Sequence, residues 1–302
     1  MQDTVTTDAE TNSWVNHLPR PTRPYARMMR LDRPIGSWLL FLPCLWSLSL
    51  AASQRNSWPP MDLIVLFAVG SVIMRGAGCV FNDIVDRDLD KKVARTRNRP
   101  LAAGTISLAG AWMFLFLLCG SGLLILVQLD IAAIALGLMS VGLIALYPFM
   151  KRITWWPQFF LGLTFNWGAL MGYAAFAGSL MMEAVILYVA CMFWTLGYDT
   201  IYAHQDREDD AMAGIKSSAL RLGQLTRPAV SLFYAIAGLS LLGAALAAGL
   251  NWPTYFLILP GLAHLIWQIR HLDIDNPDQC LYLFKSNRGF GLIIAIAFLA
   301  GH

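Results

Sequence analysis

Residues 63–90 read LIVLFAVGSVIMRGAGCVFNDIVDRDLD, an apolar run interrupted by one cation, Arg75, and closed by Asn82, Asp83, Asp86, Asp88 and Asp90. A run of about 20 apolar residues is what a membrane-spanning helix requires. Carboxylates at the end of such a helix are costly in lipid and call for a compensating partner, most simply a divalent metal. The pattern returns 120 residues later, from Asp86 to Asp206, where Asp199-x-x-Tyr202-x-x-x-Asp206-x-x-x-Asp210 follows a second apolar run. At about 100° per residue, Cys79, Asn82, Asp86 and Asp90 fall within an arc of roughly 80°, and so do Asp199, Tyr202, Asp206 and Asp210. Each helix is therefore expected to carry an acidic stripe.

The rest of the chain agrees with a membrane setting. Of its 302 residues, 57% are hydrophobic and 14% charged, against about 25% charged in soluble domains. Apolar stretches near 36–53, 63–82, 106–127, 131–149, 156–178, 184–203, 228–249, 253–269 and 289–301 predict an all-α, polytopic bundle of about nine helices around a central polar cavity. The 120-residue offset suggests two pseudo-repeated halves, 36–149 and 156–269, within a single membrane domain. Residues 1–34 then form a cytosolic lead-in and 289–301 an added ninth helix. The lead-in has no apolar core of the kind a signal peptide needs, and Asp3, Asp8 and Glu10 argue against a transit peptide.

Orientation follows from the cations. On this helix count, 20 of the 22 Lys and Arg fall on one side, with Arg55 opposite and Arg75 within a helix. The positive-inside rule makes that side cytoplasmic, and both acidic clusters lie on it. The expected location is the inner (cytoplasmic) membrane of a bacterium, with the site on its cytoplasmic face. Cys44, Cys79, Cys119, Cys191 and Cys280 show no metal-ligand spacing. A net charge of +3 spread among loops does not point to nucleic acid.

Magnesium is usually held by one or two carboxylates plus substrate phosphates, so two facing acidic stripes suit two Mg²⁺ ions clamping a diphosphate. In a membrane the remainder of that substrate is expected to be an apolar chain, such as an isoprenoid. A secondary transporter would also use intramembrane acids, but near the bilayer midplane on interrupted helices; here they stand at one surface beside basic loops.

The two motifs, 82–90 and 199–210, resemble the aspartate-rich signatures of the UbiA-type intramembrane prenyltransferases. RLDRPIGSWLL from Arg30, GCVFND from Gly78, RTRNRPLAAG from Arg95, YPFMKRITWWPQ from Tyr147, LGLTFNWGALMGY from Leu161 and GIKSSALRLG from Gly214 are similar to the branch that prenylates 4-hydroxybenzoate in ubiquinone biosynthesis. The resemblance implies a Mg²⁺-dependent enzyme in the lipid bilayer that moves a polyprenyl group from polyprenyl diphosphate to an aromatic carbon. Homogentisate or another aromatic acid is the nearest alternative acceptor.

On this footing Asn82, Asp86 and Asp90 would hold one ion, and Asp206 and Asp210 the other. Asp83 and Asp199 are candidates to orient ligands or take the phenol proton, with Asp199 preferred because it lies on the stripe. Tyr202, Tyr198 or Trp194 would face an allylic cation. Lys151, Arg95, Arg97, Arg99 and Lys216 are expected to meet the diphosphate or to decorate loops. Arg75, Arg33 and Arg152 are rival anchors for the acceptor carboxylate, Arg75 having as its alternative an ion pair with Asp83 or Asp199. Asp88, Glu208 and Asp209 fall off the stripes and read as solvated, and His204 as a packing residue. Gly76, Gly78, Gly162, Gly168 and Gly172 either let helices approach or leave space for a lipid tail.

Overall fold

A chain this apolar must satisfy its backbone internally, because lipid offers no hydrogen bonds, and within the described residues it does so entirely with helices. The computed structural model describes residues 13–91, 93 and 96–301, without the side chains of Asp209 and Ala213. The long helices are α1 (Ile35–Gln54), α2 (Met61–Asp90), α3 (Leu108–Leu126) and α4 (Ile131–Ile153). They continue with α5 (Pro157–Phe165), α6 (Gly168–Ala177), α7 (Met182–Tyr202), the short α8 (Arg207–Ala213), α9 (Thr226–Ala247), α10 (Trp252–His271) and α11 (Pro277–Leu299). Among the described residues, eight helical stretches are long and apolar enough to cross a membrane, α5 and α6 counting as one. The remaining expected span forms helix α10 but is not among the eight; Pro253, Pro260, His264 and Gln268 dilute its hydropathy.

Helix α2 is continuous through its acidic stripe, as expected. It runs through the acidic motif to Asp90, and its 30 residues make a rod of about 45 Å, well beyond a hydrocarbon core of about 30 Å. The acids can thus stand past the apolar layer without breaking the helix. The second motif differs in register. After α7 ends at Tyr202, residues Ala203–Asp206 form a 3-10 turn before α8 begins. Three residues per turn in place of about 3.6 rotate the later side chains, so Asp206 and Asp210 leave the single arc expected with Asp199.

The span expected at 156–178 is broken at Asn166 and Trp167. Backbone carbonyls exposed by the break are taken up by side chains, Gly162 O by Asn166 Nδ2 (2.8 Å) and Leu163 O by the Tyr188 hydroxyl (2.7 Å). Beyond the break, Gly172 lies so close to α1 that a β-carbon there would stand 2.7 Å from Cys44 O. This close approach is the packing role expected of small residues.

The fold comprises two compact units, one of Met1–Trp38 with Val69–Ile125 and the other of Leu39–Ala68 with Leu126–His302. The first has a core of Met28, Ala77, Val80, Leu101, Ile106, Ala111, Leu115 and Leu118. The core of the second includes Trp46, Trp194 and Phe290, with the Trp46 and Trp194 rings 4.9 Å apart. Large apolar side chains such as Met113, Phe116, Leu124, Leu138 and Met139 are exposed on α3 and α4, as expected of surfaces that face lipid.

Candidate active site

The two acidic motifs fall in different units. In the first, Asp90 at one edge of the α2 stripe and Asp83 just beyond that edge both meet cations. Asp83, 1% exposed, accepts from Arg30 Nη2 at 2.6 Å and from Arg99 Nη1 at 3.3 Å. Asp90 receives Arg99 Nη1 on both oxygens, at 3.0 and 2.9 Å. Arg30 reaches in from a turn between the short helix Arg23–Met28 and α1, with its backbone in the left-handed region (φ 60°). Its guanidinium also donates to the carbonyls of Arg27 (3.1 Å) and Met28 (3.3 Å). Burial, the largest single effect, lowers its pKa, but the charge and hydrogen bond of Asp83 together with the negative charges of Cys79 and Asp32 outweigh it and carry the pKa above the ordinary value. Arg30 is charged at any physiological pH.

The other edge of the stripe carries half-buried Asn82 and the buried Asp86, the latter 1% exposed. At about 100° per residue, half-buried Arg75 projects between these two in angle, two to three turns earlier. Arg75 lies across Gly36 at the start of α1, where a β-carbon would come 2.5 Å from its Nε. Asp83, one of the two carboxylates expected as a structural partner of Arg75, pairs with Arg30 and Arg99. Arg33 is mostly buried beside Asp32, with its Nε 3.5 Å from Asp32 Oδ2. Arg97 is exposed, and Arg95 lies outside the described residues.

Arg30 and Asp32 belong to this region, although motif spacing does not single them out. A signal is present in the sequence: Arg30-x-Asp32-Arg33-Pro34 places an acid among cations immediately before an apolar helix, and Asp32 is 3% exposed.

In the second unit, half-buried Asp199 and Tyr202 end α7, and the Tyr202 ring packs 4.4 Å from that of Phe284. Asp206 closes the 3-10 turn and Asp210 lies on α8, both half-buried. Gly214, at φ 68°, reverses the chain. This brings Lys216 N to Lys151 O (3.1 Å) and Lys216 Nζ to Ile153 O (3.0 Å). Ser218 then anchors the segment by donating Oγ to Thr200 Oγ1 (3.1 Å) and N to Gln158 Oε1 (3.3 Å). Lys151 and Lys216 are thereby gathered beside the end of α4, whereas Arg152 is exposed. Trp194 and Tyr198 are buried, Trp194 donating Nε1 to Asn287 Oδ1 at 2.8 Å. Their rings are engaged in core packing, which leaves Tyr202 as the more accessible of the three. His204 is buried with Nε2 2.9 Å from Thr226 Oγ1, in the packing role expected of it.

Asn82 and the aspartates offer oxygen donors, and Asp83 Oδ2 is buried with no hydrogen-bond partner. Among the described residues no group of three or more His, Cys, Asp or Glu forms a ready metal cage. Oxygen ligands in ones and twos, completed by substrate phosphates and water, are the habit of magnesium, and the residues present fit that ion.

Residues 40–296 match the UbiA prenyltransferase family. Over 283 residues, 92% of this chain, the sequence is 52% identical to the mitochondrial 4-hydroxybenzoate polyprenyltransferase of Aedes aegypti, of which it spans 63%. It is 47% identical to the human protein of the same name, over 95% of this chain and 78% of that one. Among solved structures, a UbiA homologue from Aeropyrum pernix K1 shares the fold with a TM-score of 0.72 at 23% identity, over 86% of this chain and 96% of that one.

Proposed function

The chain belongs to the UbiA prenyltransferase family, and on that footing we propose that it transfers a polyprenyl group from polyprenyl diphosphate to the carbon of 4-hydroxybenzoate ortho to the phenol. The observation that carries this is 46–52% identity, along nearly the whole chain, to relatives named for 4-hydroxybenzoate polyprenylation. The site supports it with two oxygen-rich acidic motifs, each accompanied by cations suited to a diphosphate.

Asn82, Asp86 and Asp90 would hold one Mg²⁺, and Asp206 and Asp210 a second. Magnesium, when bound, draws charge from the bridging oxygen as the C1–O bond of the prenyl diphosphate breaks. Lys151 and Lys216, with Arg95, Arg97 and Arg99, receive the diphosphate. Arg99 already stands at the first motif on Asp90 and Asp83, where its guanidinium would be at hand for the negative charge of the leaving group. Asp83, shared between Arg30 and Arg99, is assigned to positioning those cations. Asp199 takes the phenol proton, which makes the ring carbon more nucleophilic toward the allylic C1. The Tyr202 ring faces the cation that forms there. The resulting dienone then passes the hydrogen at the attacked carbon, as a proton, to the released diphosphate, and the ring oxygen recovers its proton from Asp199, which restores the aromatic phenol. Arg75 holds the acceptor carboxylate, with Arg33 and Arg152 as the alternatives.

The protein is integral to a membrane. The relatives are named mitochondrial, so the expected bacterial inner membrane finds no support among them. We assign the site to the side of the basic loops. Incubating the purified full chain in detergent with Mg²⁺, a panel of prenyl diphosphates and several aromatic acids, followed by product mass, tests the assignment. The expected product is 4-hydroxybenzoate made heavier by one polyprenyl chain. Product only with a different acceptor would overturn the choice of substrate, and none with any acceptor the enzyme class.

A further inference from the structure

With one exception, the described glycines within the long helices either have a neighbour within 4 Å of where a β-carbon would stand or are exposed. A β-carbon on Gly76 would meet Met29 at 2.7 Å, on Gly122 the Met74 sulfur at 2.5 Å, and on Gly162 the Met192 carbonyl oxygen at 3.1 Å. Gly120, Gly142 and Gly289 have nothing within 4 Å and are exposed. Gly78 also has nothing within 4 Å, yet it is half-buried. Among the described glycines of the long helices it alone borders open space while being half-buried.

Its place on α2 gives that space a chemical character. Gly78 follows Arg75 by three residues and precedes Asn82 by four, so at about 1.5 Å per residue it lies about 4.5 Å past the cation and about 6 Å short of the amide. At about 100° per residue all three share a face with Asp86. A flat ring about 7 Å long, with a carboxylate at one end and a phenol at the other, fits the interval of about 10 Å between Arg75 and Asn82. A prenyl tail, by contrast, has nothing to offer a strip with a guanidinium at one end and oxygen donors at the other.

We propose that Gly78 is the floor of the acceptor subsite: the open face above it receives the aromatic ring, with the carboxylate toward Arg75 and the phenol toward Asn82 and Asp86, so that the missing side chain sets the size of the acceptor. The proposal rests on the reading of the chain as a 4-hydroxybenzoate polyprenyltransferase and adds to it a residue that determines specificity.

The test uses the full chain in detergent with Gly78→Ala and Gly78→Val. Gly78→Ala should melt at or above the wild-type temperature, because nothing lies within 4 Å of the added β-carbon and alanine favours helix over glycine; the melting temperature of Gly78→Val is measured alongside as its folding control. Gly78→Val should raise the apparent KM for 4-hydroxybenzoate at least tenfold and leave that for the prenyl diphosphate within threefold. Equilibrium binding of 4-hydroxybenzoate alone should weaken in parallel. Gly78→Ala should discriminate against 3-methyl-4-hydroxybenzoate more than against the parent acid. Gly76→Ala, which must displace Met29, should lower the melting temperature without changing acceptor preference. Equal losses for both substrates, unchanged acceptor kinetics, or a loss confined to long prenyl diphosphates would overturn the proposal. A wild-type protein that fails to prenylate 4-hydroxybenzoate would instead defeat the underlying function, and that assay precedes the variants.

Discussion

Replacing Asp83 with alanine should be among the most destabilising single changes in the first unit. Its side chain is 1% exposed and its Oδ1 lies 2.6 Å from Arg30, whose side chain is 11% exposed. Breaking a buried pair by removing one partner costs about 3–5 kcal/mol, because the other charge is left uncompensated. Arg30 would retain two carbonyl acceptors, and Arg99 would retain both oxygens of Asp90. Those remaining contacts place Asp83→Ala near the lower end, about 3 kcal/mol, or roughly a hundredfold or more in the unfolding equilibrium. Asp83→Asn keeps a hydrogen bond and should cost less, about 2 kcal/mol. Arg30→Met combined with Asp83→Leu removes both charges and should recover most of the loss. The assay is reversible unfolding of the full chain in mixed micelles, run as a double-mutant cycle. If the double replacement costs as much as the sum of the two single changes, the two residues are not coupled and the buried pair does not hold this edge of α2.

Arg75→Ala should raise the apparent KM for 4-hydroxybenzoate by at least tenfold and change that for the prenyl diphosphate far less, with Arg75→Lys intermediate because it loses the bidentate fork. An uncharged para-substituted phenol should be nearly indifferent to both changes, and equal losses for it and for the acid would assign Arg75 to structure. For topology, a cysteine at Lys91 should react with a membrane-impermeant reagent only from the side of the basic loops, and one at Asn56 only from the opposite side. Labelling of both from one side would overturn the helix count between them.

Much of this fold is legible in the sequence because lipid imposes one rule, that apolar runs of sufficient length become helices. The acids of 82–90 can be assigned to one helix face from spacing alone, and α2 does continue to Asp90. The 3-10 turn at Ala203–Asp206 is not legible, since nothing in its composition separates it from α-helix. Nor is the start of α11 at Pro277: Asn287 and Ser286 look like loop residues. In the fold Asn287 is buried and takes the indole of Trp194, while Ser286 meets Gln268 and His264. The division of the first acidic stripe, with Asp83 and Asp90 on the arginines and Asn82 and Asp86 on the other edge, is hidden as well. Arg30 and Asp83 are 53 residues apart, and sequence spacing carries no trace of their contact.

The requirement for both acidic motifs in Mg²⁺-dependent prenyl transfer is the core of the proposed function. It is tested most directly by the turnover of Asp86→Asn and Asp206→Asn against Mg²⁺ concentration, with polyprenyl diphosphate and 4-hydroxybenzoate saturating and the fold checked by melting temperature. Each change removes a ligand charge without removing bulk, so each variant should remain folded and fall below a tenth of wild-type turnover even at saturating Mg²⁺. Retention of more than a tenth by either variant, a loss smaller than about 1.4 kcal/mol in barrier height, would contradict that requirement.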